Sequence, residues 1–398
     1  MTIAHPILAA QSGAAQSIET YLPEAISLRR ALHAAPELAF QERQTTARLA
    51  ELLQSWGYRV ERPTATGLIA SLSHGRGPSL GLRADIDALP IEEATGLAFA
   101  SRVPGVMHAC GHDGHSAILL LAARVLAKRK RFSGTLRLIF QPAEEIGAGA
   151  KALIEAGLFK DHPVDAIFGL HNWPGLAVGR FGFVEGPAMA AIDQIEARIL
   201  GRGGHGAEPH HAIDPILTAA HAVTALQSVV SRNVDPREMA VVTVGALLAG
   251  QASNVIPDYA DLKLTLRSYH PEVRAALRTR VTQLLQSISA GFGASAQVKL
   301  REGFPAVVNH AKETRLLREI AKAHLGPAAI AADFAPRSAS EDFAYYLQER
   351  PGSFFFSGNG ESAPLHSAEY RFNDDSIAPA ATLWVALAEH FLKENNNV

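Results

Sequence analysis

The eight residues His108–His115, "HACGHDGH", hold three histidines, an aspartate and Cys110, the one cysteine of the 398-residue chain. Four other stretches carry matching chemistry: Asp85 and Asp87 in "RADIDALP", Glu144 and Glu145 in "QPAEE", His171 in "FGLHNWP", and His366 in "PLHS". Thiolate, imidazole and carboxylate together are good ligands for zinc or another late divalent metal, and a thiolate can bridge two ions. Adjacent glutamates can divide the work, one binding metal while its neighbour moves protons. A metal ion lowers the pKa of bound water to about 7, and a nearby carboxylate takes the proton as that water attacks. Metal-assisted hydrolysis is the reaction class such a set supports.

Each residue alone has a plainer reading. Paired glutamates favour any helix N-terminus, His171 reads as a hydrogen-bonded loop residue, and a lone cysteine is commonly buried. His108 and His115 read as packing. His5, His33, His74, His162, His221, His270, His310 and His324 show no cluster and read as structural or exposed. The joint occurrence of the others is what favours a metal.

The elements must bring these clusters together. "PSLGLRAD", "TLRLIFQ" (135–141) and "VDAIFGL" (164–170) read as strands. "TTARLAELLQSWG", "GHSAILLLAARVLAKRK" and "GAGAKALIEAGLF" read as helices, the second capped near Asp113 or Gly114. "ISLRRALHAAPELAF" starts a helical pattern that breaks at Pro36. This βαβα rhythm predicts an α/β layer with a mostly parallel sheet. Asp85, Asp87, Glu144, Glu145, His171 and His366 each fall just past a strand's carboxyl end, the edge at which open α/β sheets build sites. The middle of the chain differs. Strands at 191–201, 239–248, 259–269 and 295–300, with helices at 214–232 and 271–293, run β-α-β-β-α-β, a ferredoxin-like unit. The expected organisation is residues 1–187 and 302–398 as one discontinuous catalytic domain, with 188–301 inserted.

Composition narrows the function classes. The chain is 47% hydrophobic and 19% charged with a net charge of −2, a globular balance. The only basic block, "KRKR" at 128–131, suits the last turn of a helix, so no nucleic-acid partner is expected. No apolar run reaches a membrane span of about 18 residues. The N-terminus "MTIAHPILAAQSGAA" lacks a basic flank and reads as cytoplasmic rather than as a signal peptide. A single cysteine fits a reducing compartment.

In order along the chain, "LRADIDALPIEE", "MHACGHDGH", "LIFQPAEE", "FGLHNWP", "GRGGHGAEPH", "SNVIPDYA" and "SEDFA", with a late "LH", resemble the M20 metallopeptidase family. The narrower resemblance is to its amidohydrolase branch of hippurate hydrolases, N-acyl-amino-acid amidohydrolases and plant auxin-conjugate hydrolases. The resemblance implies a catalytic α/β domain with an inserted lid. It also implies two divalent metal ions per subunit, of zinc, manganese, nickel or cobalt. Cys110, His112, Glu145, His171 and His366 match the metal ligands and Glu144 the general base. Asp87 matches the aspartate that orients a ligand. Asp85 stands where other branches place a ligand histidine, so their metal arrangement does not transfer whole. Ile146 and Ala148 occupy positions often held by glycine, which reshapes the pocket.

His205, on the glycine-rich "GRGGHG", matches the lid histidine that polarises the scissile carbonyl. Asn254 and Arg267 match holders of the substrate's free carboxylate. An arginine fork suits that task, although Arg267 also reads as an exposed strand residue. The implied activity is cleavage of an N-acyl-amino acid to a carboxylic acid and an amino acid. The implied assembly is a homodimer or homotetramer formed through the lid. A dipeptidase or carboxypeptidase is the alternative within the class. A cysteine-nucleophile hydrolase and a non-enzymatic binding protein are the alternatives outside it.

Overall fold

The computed structural model describes residues 13–393. His5 and most of the N-terminal stretch read above lie outside the described residues. The chain divides into two compact units. The first comprises residues up to Gly186, Val308–Ala335 and those from Asp342 on, and the second comprises Pro187–Val307 and Pro336–Glu341.

A seven-stranded sheet organises the first unit, in the order Arg59–Glu61, Leu68–His74, Gly134–Gln141, Ser79–Asp85, Ala166–Trp173, Gly352–Gly358, Phe181–Gly182. The four central strands are parallel, and antiparallel strands close both edges. Gly352–Gly358, "GSFFFSG", is buried at every position, as a parallel strand covered on both faces must be. From Ser79–Asp85 the chain passes to Gly134–Gln141 on one side and then to Ala166–Trp173 on the other. The connections therefore part at the carboxyl end of Ser79–Asp85, the topological switch point where α/β folds open a crevice.

The helix His112–Arg129 is buried along nearly its whole length and packs against the helices Gly13–His33 and Ile377–Phe391. An apolar helix without a polar face belongs inside a core. It begins earlier than the sequence suggests: Gly111, in the left-handed region at φ +89°, precedes it, so His112 is already its first residue. The first helix runs Gly13–His33 with Pro23 inside it and stops short of Pro36, whose predecessors disfavour helical backbone. The pattern "GAGAKALIEAGLF" divides into the helices Gly149–Glu155 and Leu158–Asp161, parted by Gly157 at φ +94°.

In the second unit, the strands Ala191–Leu200, Ala240–Ala249, Tyr259–Ser268 and Ser295–Glu302 form an antiparallel sheet. In sheet order these are the second, third, first and fourth. This is the arrangement a β-α-β-β-α-β chain reaches when both helices cover one face. Alternation along Ala191–Leu200 buries Ile195, Ala197 and Ile199 with Leu226 of Pro215–Asn233 and Val281 of Pro271–Gly291. Asp214 caps Pro215–Asn233, its carboxylate accepting from the amides of Ile216 and Leu217, as its residue type favours. The unit extends past residue 301 because backbone bonds hold the flanking segments. Ile192 N–H donates to the Phe304 carbonyl, Ala190 N–H to Ala339, and Arg337 N–H to Ala188.

Candidate metal centre

The first unit brings the chemical clusters to one place. Ligand atoms of Cys110, His112 and His171 lie within 4.8 Å of one another, and so do those of Cys110, Glu145 and His366. The two groups share the Cys110 thiol. Glu144 forms a third such group with His112 and Glu145. His171 does not follow its strand, as the sequence reading had it, but lies within Ala166–Trp173, paired with Phe356. The strand continues because the parallel ladder to Gly352–Gly358 runs on to Trp173.

Hydrogen bonds decide which atoms face the shared space. His112 Nδ1 lies 2.9 Å from the Asp87 carbonyl and His171 Nδ1 lies 2.6 Å from the Asn172 carbonyl. A carbonyl only accepts, so both rings carry a proton on Nδ1 and turn Nε2 toward the shared space. His171 Nε2 sits 3.3 Å from Cys110 Sγ. Asp87 does double duty, since its carboxylate also accepts from Glu145 N–H at 2.9 Å. It thus orients His112 and the glutamate loop together.

Three buried atoms here, His112 Nε2, Glu145 Oε1 and Asp87 Oδ1, have no hydrogen-bond partner. Buried polar atoms are rarely left so. Asp87 Oδ1 lies 3.3 Å from His112 Nδ1, and a cation between His112 Nε2 and Glu145 Oε1, 3.8 Å apart, would satisfy the other two. The donor set suits a late divalent metal.

The electrostatics agree. Burial would lower the His112 imidazole, but Asp85, the hydrogen bond to Asp87, and Glu145 outweigh it and push it up to about 10. Burial pushes Glu145 up to about 7. Burial, Glu145, Glu144 and Asp85 hold the Cys110 thiol well above its ordinary value. A buried space lined by this many carboxylates draws in positive charge, and protons take that part where no metal stands. Burial and its histidine neighbours keep His171 low and neutral, the form that binds metal. A thiol raised by burial and anions is a poor nucleophile by itself, which weighs against the cysteine-nucleophile reading.

The loops are strained where they deliver these groups. Ala143, just before the glutamates, has φ +53°, and His366 has φ +65°. Non-glycine residues seldom adopt such backbone, and it gathers at functional sites. Ala143 N–H is held by Glu42 at 2.9 Å. Asp342, from "SEDFA", accepts from Gln141 Nε2 at 2.7 Å and from Ala150 N–H at 2.9 Å, so it grips both ends of the glutamate loop. Ile146 on that loop is 61% exposed.

Asp85 sits beside His112, and ligand atoms of Asp85, His112 and His115 form a further group within 4.8 Å. Its carboxylate takes the His115 Nδ1 proton at 2.6 Å and an Arg83 guanidinium proton at 2.8 Å, with His112 Nε2 at 3.5 Å. His115 is therefore more than packing. Its position three residues after His112, on the same helix face, was the available signal. Arg83 carried one too, as a charge within an apolar strand. Asn172 and Tyr370 also join the site's network and carried no local signal.

The second unit holds the remaining candidates. His205 pairs across a short ladder with Val255, and Gly206 N–H donates to the Asn254 carbonyl. His205 and Asn254 are thus neighbours, both exposed. Arg267 is elsewhere, eight positions beyond Tyr259 along Tyr259–Ser268, or roughly 25 Å at about 3.3 Å per residue. It is half-buried and donates to Ser340 Oγ at 2.6 Å. The unit does not bring Asn254 and Arg267 together.

Comparison with known proteins gives a consistent result. Peptidase family M20/M25/M40 matches residues 81–390. The chain is 43% identical to the N-acetyl-L-cysteine deacetylase of Bacillus subtilis (strain 168) over 384 residues, 95% of this chain and 91% of that protein. It is 40% identical to the hippurate hydrolase of Campylobacter jejuni over 368 residues, 92% of this chain and 96% of that one. Among solved structures it resembles the Bacillus subtilis YXEP protein, described as a dinuclear metal binding peptidase from the M20 family. That match has a TM-score of 0.82 and 37% identity, and covers 94% of this chain and 99% of that one.

Proposed function

The chain belongs to peptidase family M20/M25/M40, and from that premise we propose that it is a metal-dependent amidohydrolase acting on N-acyl-amino acids. It cleaves their amide bond to a carboxylic acid and a free amino acid. The observation that carries this reading is the pair of buried ligand groups sharing Cys110, with Glu144 beside them. Cys110, His112, Glu145, His171 and His366 would hold two divalent ions. When bound, the ions would polarise the amide carbonyl and acidify water. Glu144 removes the water proton and returns it to the leaving amine. Asp87 and Asp85 hold the ligands in place. The relatives' substrates, N-acetyl-L-cysteine and hippurate by their names, favour an N-acyl-amino acid over the free dipeptide of a dipeptidase or carboxypeptidase.

Finer assignments complete the proposal. The ions are zinc, manganese, nickel or cobalt, the mixed sulfur, nitrogen and oxygen donors suiting each. The first unit carries the chemistry, and the second, Pro187–Val307 with Pro336–Glu341, serves as the lid and pairs two chains as a homodimer or within a homotetramer. His205 donates to the developing oxyanion, while Asn254 and Arg267 contact the amino-acid half of the substrate. The separation of Asn254 from Arg267 supports a pocket that takes His205 and Asn254 from one chain and Arg267 from another. The enzyme works in the cytoplasm, where its single cysteine stays reduced. Among the described residues no helix is long and apolar enough to cross a membrane.

The test strips metal with a chelator, restores single metals, and measures hydrolysis of hippurate, N-acetyl-amino acids and dipeptides. Activity is expected to vanish and return with a divalent ion, and N-acyl-amino acids should be preferred. Full activity in rigorously metal-free protein would overturn the reading.

A further inference from the structure

We propose that Asn172 is the positioning residue that locks Cys110, His171 and the His366 segment into one metal-ready arrangement, an inference that rests on the metal-centre reading above. Asn172 is fully buried, next to His171 in the strand Ala166–Trp173. Every polar group it owns is used. Its carbonyl accepts the His171 Nδ1 proton at 2.6 Å, which turns His171 Nε2 toward Cys110. Its backbone N–H donates to His115 Nε2 at 2.9 Å. Its side-chain amide donates to the Cys110 carbonyl at 2.6 Å and approaches His115 Nε2 at 3.0 Å. Its side-chain oxygen accepts from the Tyr370 hydroxyl at 2.6 Å.

The direction of these bonds is determined. The Cys110 carbonyl can only accept, so the amide nitrogen must face it, and the amide oxygen must face Tyr370. Because His115 Nε2 accepts from Asn172, its proton is on Nδ1 and goes to Asp85. Tyr370 follows closely on His366, whose own N–H donates to the Ala109 carbonyl at 2.9 Å. One amide therefore ties together three chain segments that each supply a ligand. The packing admits little else. A Cβ on Gly111, between Cys110 and His112, would lie 2.4 Å from the Asn172 amide nitrogen and 2.6 Å from the Tyr370 hydroxyl.

The conservative change is Asn172→Asp. It keeps size and the bond from Tyr370 but sets an oxygen against the Cys110 carbonyl oxygen. Groups that orient ligands typically tune metal affinity by about 10–100-fold. The experiment uses the full chain, stripped of metal and titrated with Co²⁺. It records cobalt affinity, the near-ultraviolet thiolate-to-cobalt absorption, and the circular dichroism and Tm of the metal-free protein. Wild type should show the thiolate band. Asn172→Asp should bind cobalt about 10–100-fold more weakly with a diminished band, at little change in metal-free Tm. Tyr370→Phe frees the amide to turn and should move both readouts the same way by less. The double variant should be no worse than Asn172→Asp, since both act through one amide.

A variant whose cobalt affinity and band match wild type, whatever its Tm, overturns the proposal. If Asn172→Asp fails to fold, Tyr370→Phe decides by the same criterion. A wild type without a thiolate band refutes the metal centre itself, and the positioning role falls with it.

Discussion

Glu144 and Glu145 are adjacent in sequence, yet their surroundings suit them to different tasks. Both group with His112, but Glu145 also groups with Cys110 and His366, while Glu144 groups with Glu341 and Asp342. Glu144→Gln should retain metal and lower kcat by about 10²–10⁴, since it removes only the proton carrier. Glu145→Gln should lose metal instead. Metal content and rate measured on both variants decide the matter, and the reverse pattern would exchange the assignments. Gly111 makes a sharper case. It combines φ +89° with no room for a Cβ against Asn172 and Tyr370. Gly111→Ala should displace the Cys110–His112 segment and release metal, which dialysis of the purified variant would reveal. Retention of both ions at wild-type affinity would contradict this.

The elements show how the site is held from behind. The helix that begins at His112 is anchored one residue later. Asp113 accepts from Arg29 at 3.2 Å and from His33 Nδ1 at 2.9 Å, while His33 Nε2 reaches Glu93 at 3.2 Å. Burial would lower the His33 imidazole, but Asp113 and Glu93 outweigh it and raise it above 6.5. A histidine raised on folding contributes stability that is full below its unfolded pKa and is lost as pH climbs through the folded value. The metal-free protein should therefore lose this contribution as pH rises above 6.5, and His33→Gln should flatten that slope. Urea unfolding across the range measures it, and parallel slopes for the two proteins would rule His33 out. His33 read as structural from sequence, a fair description. That it ties the first helix to the site's helix was not legible, because its partners are 60 and 80 residues away.

At the scale of the whole molecule, the two units divide the proposed work. On the proposed reading, Glu144 in the first transfers the proton and His205 in the second contacts the oxyanion. His205→Ala should bind metal normally and lose about 10²–10³ in kcat. Mixing His205→Ala subunits with Glu144→Gln subunits under exchanging conditions tests whether His205 serves a neighbouring chain. If it does, one site of each heterodimer keeps an intact Glu144 and a borrowed His205, and activity returns. Demonstrated exchange without activity would confine His205 to its own chain.

The candidate donors could be named without coordinates. Strand periodicity placed Asp87 and the glutamates beyond strand ends, whereas Asp85 is the last residue of its strand, paired with Gln141; residue chemistry named a metal. The order of strands and helices likewise predicted the four parallel strands of the first sheet and all four of the second, because local alternation and helical spacing decide which faces are buried. It did not predict the antiparallel edge strands Arg59–Glu61, Leu68–His74 and Phe181–Gly182. What the folded chain alone decided is where the protons sit and which groups meet. His112 and His171 show Nε2 rather than Nδ1 only because distant or neighbouring carbonyls take the other nitrogen. Asn172 gains its role from His115, 57 residues away, and from Tyr370, 198 residues away. Asn254 and Arg267, close in sequence, are parted by a ten-residue strand. Hydrogen-bond direction depends on partners brought in by packing, and no local pattern encodes them.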